Sequence, residues 1–383
     1  MPTSDKPRLI TFYLPQFHPI PENDLWWGKG FTEWTNVARA RPLVKGHYQP
    51  HLPAELGFYD LRLPETRQAQ ANLARQYGIY GFCYYHYWFN GKRLLQRPLN
   101  EVLNSGEPDF PFCVCWANEN WTRRWNGEDQ DILMRQAYSA ADDLAHIRAL
   151  IPSFRDHRYI KINGRPLVLI YRVSSLPQPR QTADMWRQEA IRAGFPDLYL
   201  CTVVSLGTLD FDPTSIGFDA AVDFPPNCNH RTQPIKPIRC RFRALDRQAR
   251  RFVRDPYCEH SILRYSDLAT NIMNRPEPQY KLFPGVSPAW DNSARRKSGA
   301  SVYLGSTPEM YRQWLDHSIS QAQRRFKNPD ERLVFINAWN EWAEGNHLEP
   351  DQKWGRRYLE ETRAALEVCE ELPARTDVSE KAA

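Results

Sequence analysis

Short apolar runs and stretches of helical spacing take turns along this chain. The runs at 9–14, 79–87, 112–116, 166–171, 198–204, 220–224, 282–286 and 333–338 are rich in β-branched, aromatic and aliphatic residues and read as strands. Helical periodicity follows at 64–77, 99–104, 142–154, 182–193, 261–273, 307–325 and 356–371. Several of these stretches carry end signals. Pro64 precedes Glu65, Thr307-Pro308-Glu309 reads as cap, first turn and acid, and Gly106 and Gly194 stand where C-caps belong. The alternation predicts a single α/β domain, a (β/α)8 TIM barrel spanning 1–372, with 373–383 as a fraying tail. Such barrels need about 250 residues. The surplus falls in long loops after strands one (15–63), three (117–141) and six (225–260), all at the C-terminal mouth. A doubly wound sheet is the alternative, but no G-x-G-x-x-G or G-x-x-x-x-G-K-[ST] occurs.

Composition then narrows the class. The chain is 42% hydrophobic and 25% charged, with 18 glycines in 383 residues, which suits a folded globular protein and excludes disorder. No apolar run reaches the ~18 residues of a membrane span. The polar start, without an apolar h-region, gives the expectation of no signal peptide. The eight cysteines have no C-x-x-C spacing and read as buried thiols. Together these favour the cytoplasm. Net charge is 50 − 45 = +5, mild except between Arg231 and Arg254, where Lys236, Arg239, Arg241, Arg243, Arg247, Arg250 and Arg251 cluster. That stretch is expected to be a solvated helix face, or else a patch for an anionic glycan, a lipid-linked glycan diphosphate or a membrane surface. No reader motif argues for nucleic acid.

Tryptophan is uneven. Seven of 13 lie between Trp26 and Trp125 and five between Trp290 and Trp354, leaving Trp186 alone in the middle. In a closed barrel the two rich ends adjoin, so the expectation is one sugar-stacking arc facing a basic wall. Strand eight ends in Asn337-Ala338-Trp339-Asn340-Glu341-Trp342-Ala343-Glu344-Gly345. Two carboxylates three apart beside aromatic rings suit glycoside cleavage, in which one carboxyl donates a proton while the other stays ionised. Glu341 and Glu344 are therefore the catalytic candidates; a helix start is the bland alternative. Substrate-contact candidates follow from the other strand ends. They are Tyr13 and His18, then Trp26, Glu33, Trp34 and Asn36 in the first long loop. Strand two adds His86, Tyr87 and Trp88, and strand three Trp116, Asn118, Glu119, Asn120 and Trp121. Trp290, Asp291, Asn340 and Trp342 complete the set, with Arg295 and Arg296 placed to reach an acidic group. No metal or other cofactor is expected: Asp129-Gln130-Asp131 and Asp210-Phe211-Asp212 are D-x-D triplets that arise easily by chance.

These motifs resemble one family along nearly the whole chain, from Tyr13-Leu-Pro-Gln-Phe-His18 to Glu349-Pro350-Asp351. Gly30-Phe-Thr-Glu-Trp-Thr-Asn36, His47-Tyr-Gln-Pro50, Tyr84-Tyr-His-Tyr-Trp88, Cys115-Trp-Ala-Asn-Glu-Asn-Trp121 and Ala338-Trp-Asn-Glu-Trp-Ala-Glu-Gly345 look like those of the WbsX-like, glycoside hydrolase family 99-like domains of bacterial polysaccharide genes. The resemblance implies a barrel related to endo-α-mannosidases, with Ala343 where those enzymes commonly carry His. It implies that Glu341 deprotonates a sugar 2-hydroxyl to form a 1,2-anhydro sugar, and that Glu344 is the acid/base of a retaining cleavage. A manno-configured or related deoxy sugar of a bacterial polysaccharide is the substrate so implied. Two other readings stand beside it, a glycosyltransferase of O-antigen or capsule assembly and a non-catalytic carbohydrate-binding barrel.

Overall fold

The computed structural model describes residues 6–123, 128–204, 211–226, 232–235 and 255–371. Eight parallel strands form the centre: β1 Arg8–Tyr13, β2 Ile79–Phe89, β3 Phe112–Trp116, β4 Arg165–Ile170, β5 Tyr199–Val204, β6 Ala220–Asp223, β7 in two pieces, Leu282–Phe283 and Gly285–Val286, and β8 Leu333–Ile336. Each pairs with its neighbour in sequence, and β1 pairs with β8. The ring closes through β7. Its first piece pairs with β6 and its second with β8, so the two edges of the sheet are one continuous chain segment. Pro284 separates the pieces because it offers no N–H to a ladder. Gly285 is required beside it, since a Cβ there would run into the backbone carbonyl of Asp223.

Strands buried on both faces, such as β5, are the expected form for parallel sheets covered by helices. Phe12 fills the barrel, touching Tyr85 of β2, Phe224 beyond β6 and Phe335 of β8. The helices lie between strands: Pro64–Gln76, Arg97–Ser105, Ala140–Phe154, Pro179–Arg192, Tyr265–Met273, Pro308–Arg325 and Arg357–Glu371. Thr307 caps its helix by accepting from the Met310 amide. No helix among the described residues is long and apolar enough to cross a membrane.

Three expectations change. Ser261–Arg264 is a strand paired with Ser301–Leu304, and the helix begins only at Tyr265. Four residues satisfy either period; burial of Ile262 and Val302 together with Ala300 decides for the strand. Cys258 is exposed, whereas Cys83, Cys113, Cys115 and Cys201 are buried. Trp34, Trp88, Trp116, Trp290, Trp339 and Trp342 are buried, so most of the expected stacking arc is core. The predicted basic stretch lies outside the described residues apart from 232–235, as does the tail from 372 onward.

At the mouth, the loop after β1 carries the helices Pro21–Trp27 and Glu33–Arg39. The loop after β3 carries a hairpin of Trp121–Arg123 with Glu128–Met134. Loops after β7 and β8, not among the three long loops expected, add the Ser301–Leu304 strand and a tight turn around Glu344.

Candidate active site

Beyond β8, Asn340–Glu341 pairs antiparallel with Asn346–His347, closed by a 3-10 turn over Trp342–Glu344. Side chains pin this hairpin from three directions. Asn340 accepts from the Leu14 amide at 2.7 Å and donates to the Leu14 carbonyl at 3.0 Å, locking it to β1. Trp342 stacks on His347 with centroids 3.7 Å apart, and its Nε1–H donates to Glu349 at 2.6 Å. Glu349 also accepts from Tyr59 and Gln70. Burial pushes the Glu349 carboxyl up to about 7, against the pull of these donors. Asp291 donates its backbone N–H to the Glu344 carbonyl at 2.6 Å. Gly345 ends the turn at φ +56°, where a Cβ would stand 3.1 Å from Asp291 and 3.3 Å from His51.

The hairpin presents Glu341 and Glu344 to a cavity of about 230 Å3 at the C-terminal ends of the strands. Tyr85, Tyr87, Trp27, Trp121, Tyr171 and Phe224 supply aromatic walls, and Gln16, Glu119 and Asn120 supply polar ones. Arg295 joins the carboxylates. Its Nη2 is 3.0 Å from Glu341, its Nη1 2.8 Å from Glu344 and its Nε 3.1 Å from Glu33. Burial works to neutralise this guanidinium, but the three carboxylates outweigh it and hold the charge firmly.

The two candidate carboxyls differ in exposure. The Glu341 side chain is 7% exposed, whereas the Glu344 side chain retains 20%. Burial pushes Glu341 up to about 8, with Glu344 and Glu33 adding repulsion and Arg295 opposing. Glu33, wholly buried, is raised for the same reason. Burial and the nearby Glu341 also raise Tyr85 and Tyr87, which therefore stay neutral hydroxyls. A site with one buried, proton-retaining carboxyl and one wetter partner can run acid and base steps together.

Of the expected contact residues, Tyr87, Glu119, Asn120 and Trp121 line this cavity with the glutamate pair. Glu119 is held by Arg172 at 2.7 Å, and Asn120 accepts from the Gln136 amide. The others have different places. Tyr13 turns outward to Gln70, and His18 is buried outside the cavity, its basicity lowered to about 4 mainly by burial. Trp26 meets Trp121 edge-on from behind. Glu33 reaches the site only through Arg295, and Asn36 lies beside Glu33 on the same short helix. Trp34 donates to Tyr59 and packs on Phe17. His86 bonds His146 at 2.9 Å, Trp88 stacks on the same ring, and Trp116 packs edge-on to it. Asn118 ties the loop after β3 to Arg172. Asn340 and Trp342 support the hairpin from within. Trp290 and Asp291 line a separate cavity. Tyr13, His86, Trp88 and Trp116 lie on strands and meet the surrounding helices at Gln70 and His146, whereas Trp34 is covered by its own loop.

Trp27, Tyr85, Tyr171, Phe224 and Gln16 were missed as contacts. Tyr171 and Phe224 each follow the last residue of a strand, the position that signals a mouth residue. Of the D-x-D triplets, Asp131 pairs with Arg123, Asp212 caps a 3-10 turn through the Thr214 amide, and the Asp129 side chain and Asp210 lie outside the described residues.

The fold and cleft define a (β/α)8 barrel with an acidic site at its mouth. The chain belongs to the family described as Glycosyltransferase WbsX, whose model matches residues 9–362. Uncharacterized protein WxcX of Xanthomonas campestris pv. campestris, in strains ATCC 33913 and B100, is 46% identical over 368 residues, 96% of this chain and 50% of each relative. The chain thus spans about half the length of the curated relatives it matches. Among solved structures it is similar to the GH99 endo-alpha-mannosidase from Bacteroides thetaiotaomicron, with TM-score 0.55 and 14% identity over 95% of this chain and 98% of that one. It is also similar to a glycoside hydrolase-like protein, with TM-score 0.57 and 12% identity over 96% and 95%. At these identities the likeness establishes the fold.

Proposed function

We propose that the chain is a retaining glycosidase that cleaves α-linked, manno-configured or related deoxy sugars of a bacterial polysaccharide or glycan. The observation that carries this reading is the bridging of Glu341 and Glu344 by one arginine inside an aromatic-walled cleft at the barrel mouth. Sugar rings present C–H-rich faces to such walls, and their hydroxyls suit Gln16, Asn120 and the tyrosine hydroxyls.

In this reading Glu344, the more exposed carboxyl, protonates the departing glycosidic oxygen. Glu341 accepts the proton of the 2-hydroxyl, the 2-oxygen closes on C1, and the bond to the leaving group breaks. Water, deprotonated by Glu344, then attacks C1; the bond from C1 to the 2-oxygen breaks, Glu341 returns its proton to the 2-oxygen, and the configuration is retained. The raised proton affinity of Glu341 is consistent with a base strong enough to take an alcohol proton. Arg295 opposes that rise and favours the ionised form.

The test is incubation of the purified chain with α-linked manno-configured oligosaccharides, followed by NMR of the first-formed anomer. An α-product supports the reading; a β-product removes the retaining scheme. The family description favours a second reading, transfer from an activated sugar. Calorimetric titration with nucleotide sugars separates the two, because only a transferase needs to hold one.

A further inference from the structure

Behind the Glu344 turn lies a second cavity, of about 110 Å3, which the glycosidase reading does not use. His51, from the loop after β1, meets His347 and Asp351, from the loop after β8, and all three are buried. One ligand-type atom from each lies within 4.8 Å of the others. His51 Nδ1 is 3.0 Å from His347 Nε2, which is 3.9 Å from Asp351 Oδ2. We propose that His51, His347 and Asp351 bind one divalent transition-metal ion of the zinc class, which clamps the loop after β1 to the loop after β8.

Zinc ligands at about 2.0–2.2 Å from the ion sit roughly 3–3.5 Å from one another. The histidine pair already meets this spacing, and the carboxylate needs a small side-chain movement. The tautomer is suitable as well. His347 Nδ1 lies 2.9 Å from the Glu349 carbonyl, which can only accept, so Nε2 keeps its lone pair facing the cluster. Asp351 is held through its other oxygen by the Trp354 amide. His51 needs only to move its proton from Nδ1 to Nε2. The charge of Lys353 opposes a cation here, but its Nζ lies over the rings of Tyr48 and Trp354, 4.7 Å from each centroid. Two imidazoles and a carboxylate favour zinc over calcium or magnesium. The cavity leaves room for water in a fourth position.

The test is titration of the chelator-stripped chain with zinc chloride by calorimetry, with thermal unfolding followed in parallel. One ion per chain and a higher unfolding temperature are expected. His347→Gln and Asp351→Asn should each weaken binding by about tenfold or more, whereas His157→Gln, at an exposed histidine, should not. If either ligand variant fails to fold, His51→Gln decides in its place. Absence of saturable binding overturns the proposal. So does binding that the ligand variants leave unchanged, or that His157→Gln removes.

Discussion

Arg295 places a guanidinium nitrogen 3.0 Å from Glu341 in a nearly dry part of the cleft. The same group serves Glu344 and Glu33, so one cation holds three carboxylates in register. Removing one partner of a buried ion pair strands the rest. Arg295→Met is expected to cost about 3–5 kcal/mol of stability, measured by urea unfolding, with a larger loss above about pH 8, where Glu341 ionises. Arg295→Lys should recover only part of it, since an ammonium cannot match the planar fork. A neutral result for Arg295→Met would show that the carboxylates find other partners.

The raised proton affinity of Glu341 has a defined sign for stability. Its folded value, about 8, exceeds the ~4.3 of an unfolded glutamate. The folded state therefore binds the proton more tightly. That contribution is complete below the unfolded value and is lost as pH rises through about 8. Glu341→Gln cannot ionise, so its stability relative to wild type should improve with rising pH across this window. Urea midpoints at a series of pH values read this directly; a difference that stays flat argues against the assigned environment. In kinetics, a base with this affinity gives kcat/KM that rises through about pH 8, and a fall over the same range would assign Glu341 the acid role instead.

Two tryptophans from one sequence motif should behave differently. Trp116 is 1% exposed and packs on His146 and Trp186, so Trp116→Ala should cost about 3–5 kcal/mol. Trp121 faces the cleft and leans on Tyr87. Trp121→Ala should weaken oligosaccharide binding with a smaller loss of stability. Paired unfolding and binding assays check the contrast, and equal effects on both would contradict it.

Gly345 combines a left-handed backbone with crowding by Asp291 and His51. Gly345→Ala is expected to cost about 1–3 kcal/mol and, by displacing the Glu344 carbonyl from the Asp291 amide, to lower turnover more than substrate affinity. Chemical denaturation and steady-state kinetics give the two readings.

The barrel was legible because its strands are apolar runs with little ambiguity: Phe112–Trp116 is found where the sequence places it. What periodicity could not resolve were four-residue elements. Ser261–Arg264 fits helix and strand alike until its partner Ser301–Leu304 is known. The glutamate pair stood out because its flanking residues are unusual at a strand end. Contact residues were harder to read. Composition says that a loop is aromatic but not which face is wet, so Trp34 and Trp342, 5.6 Å apart, cover each other instead of a ligand. Arg295 could be foreseen as seeking an acid; that it joins three of them required the fold.

In the proposed reaction Glu341 and Glu344 perform the cleavage. Its most direct test is the turnover of α-linked manno-configured oligosaccharide by Glu344→Gln, alongside binding of the same oligosaccharide by calorimetry. Turnover lowered by about 10²–10⁴-fold with binding retained is the expected outcome. Turnover near that of the unaltered chain, with no nucleophile added, would contradict it.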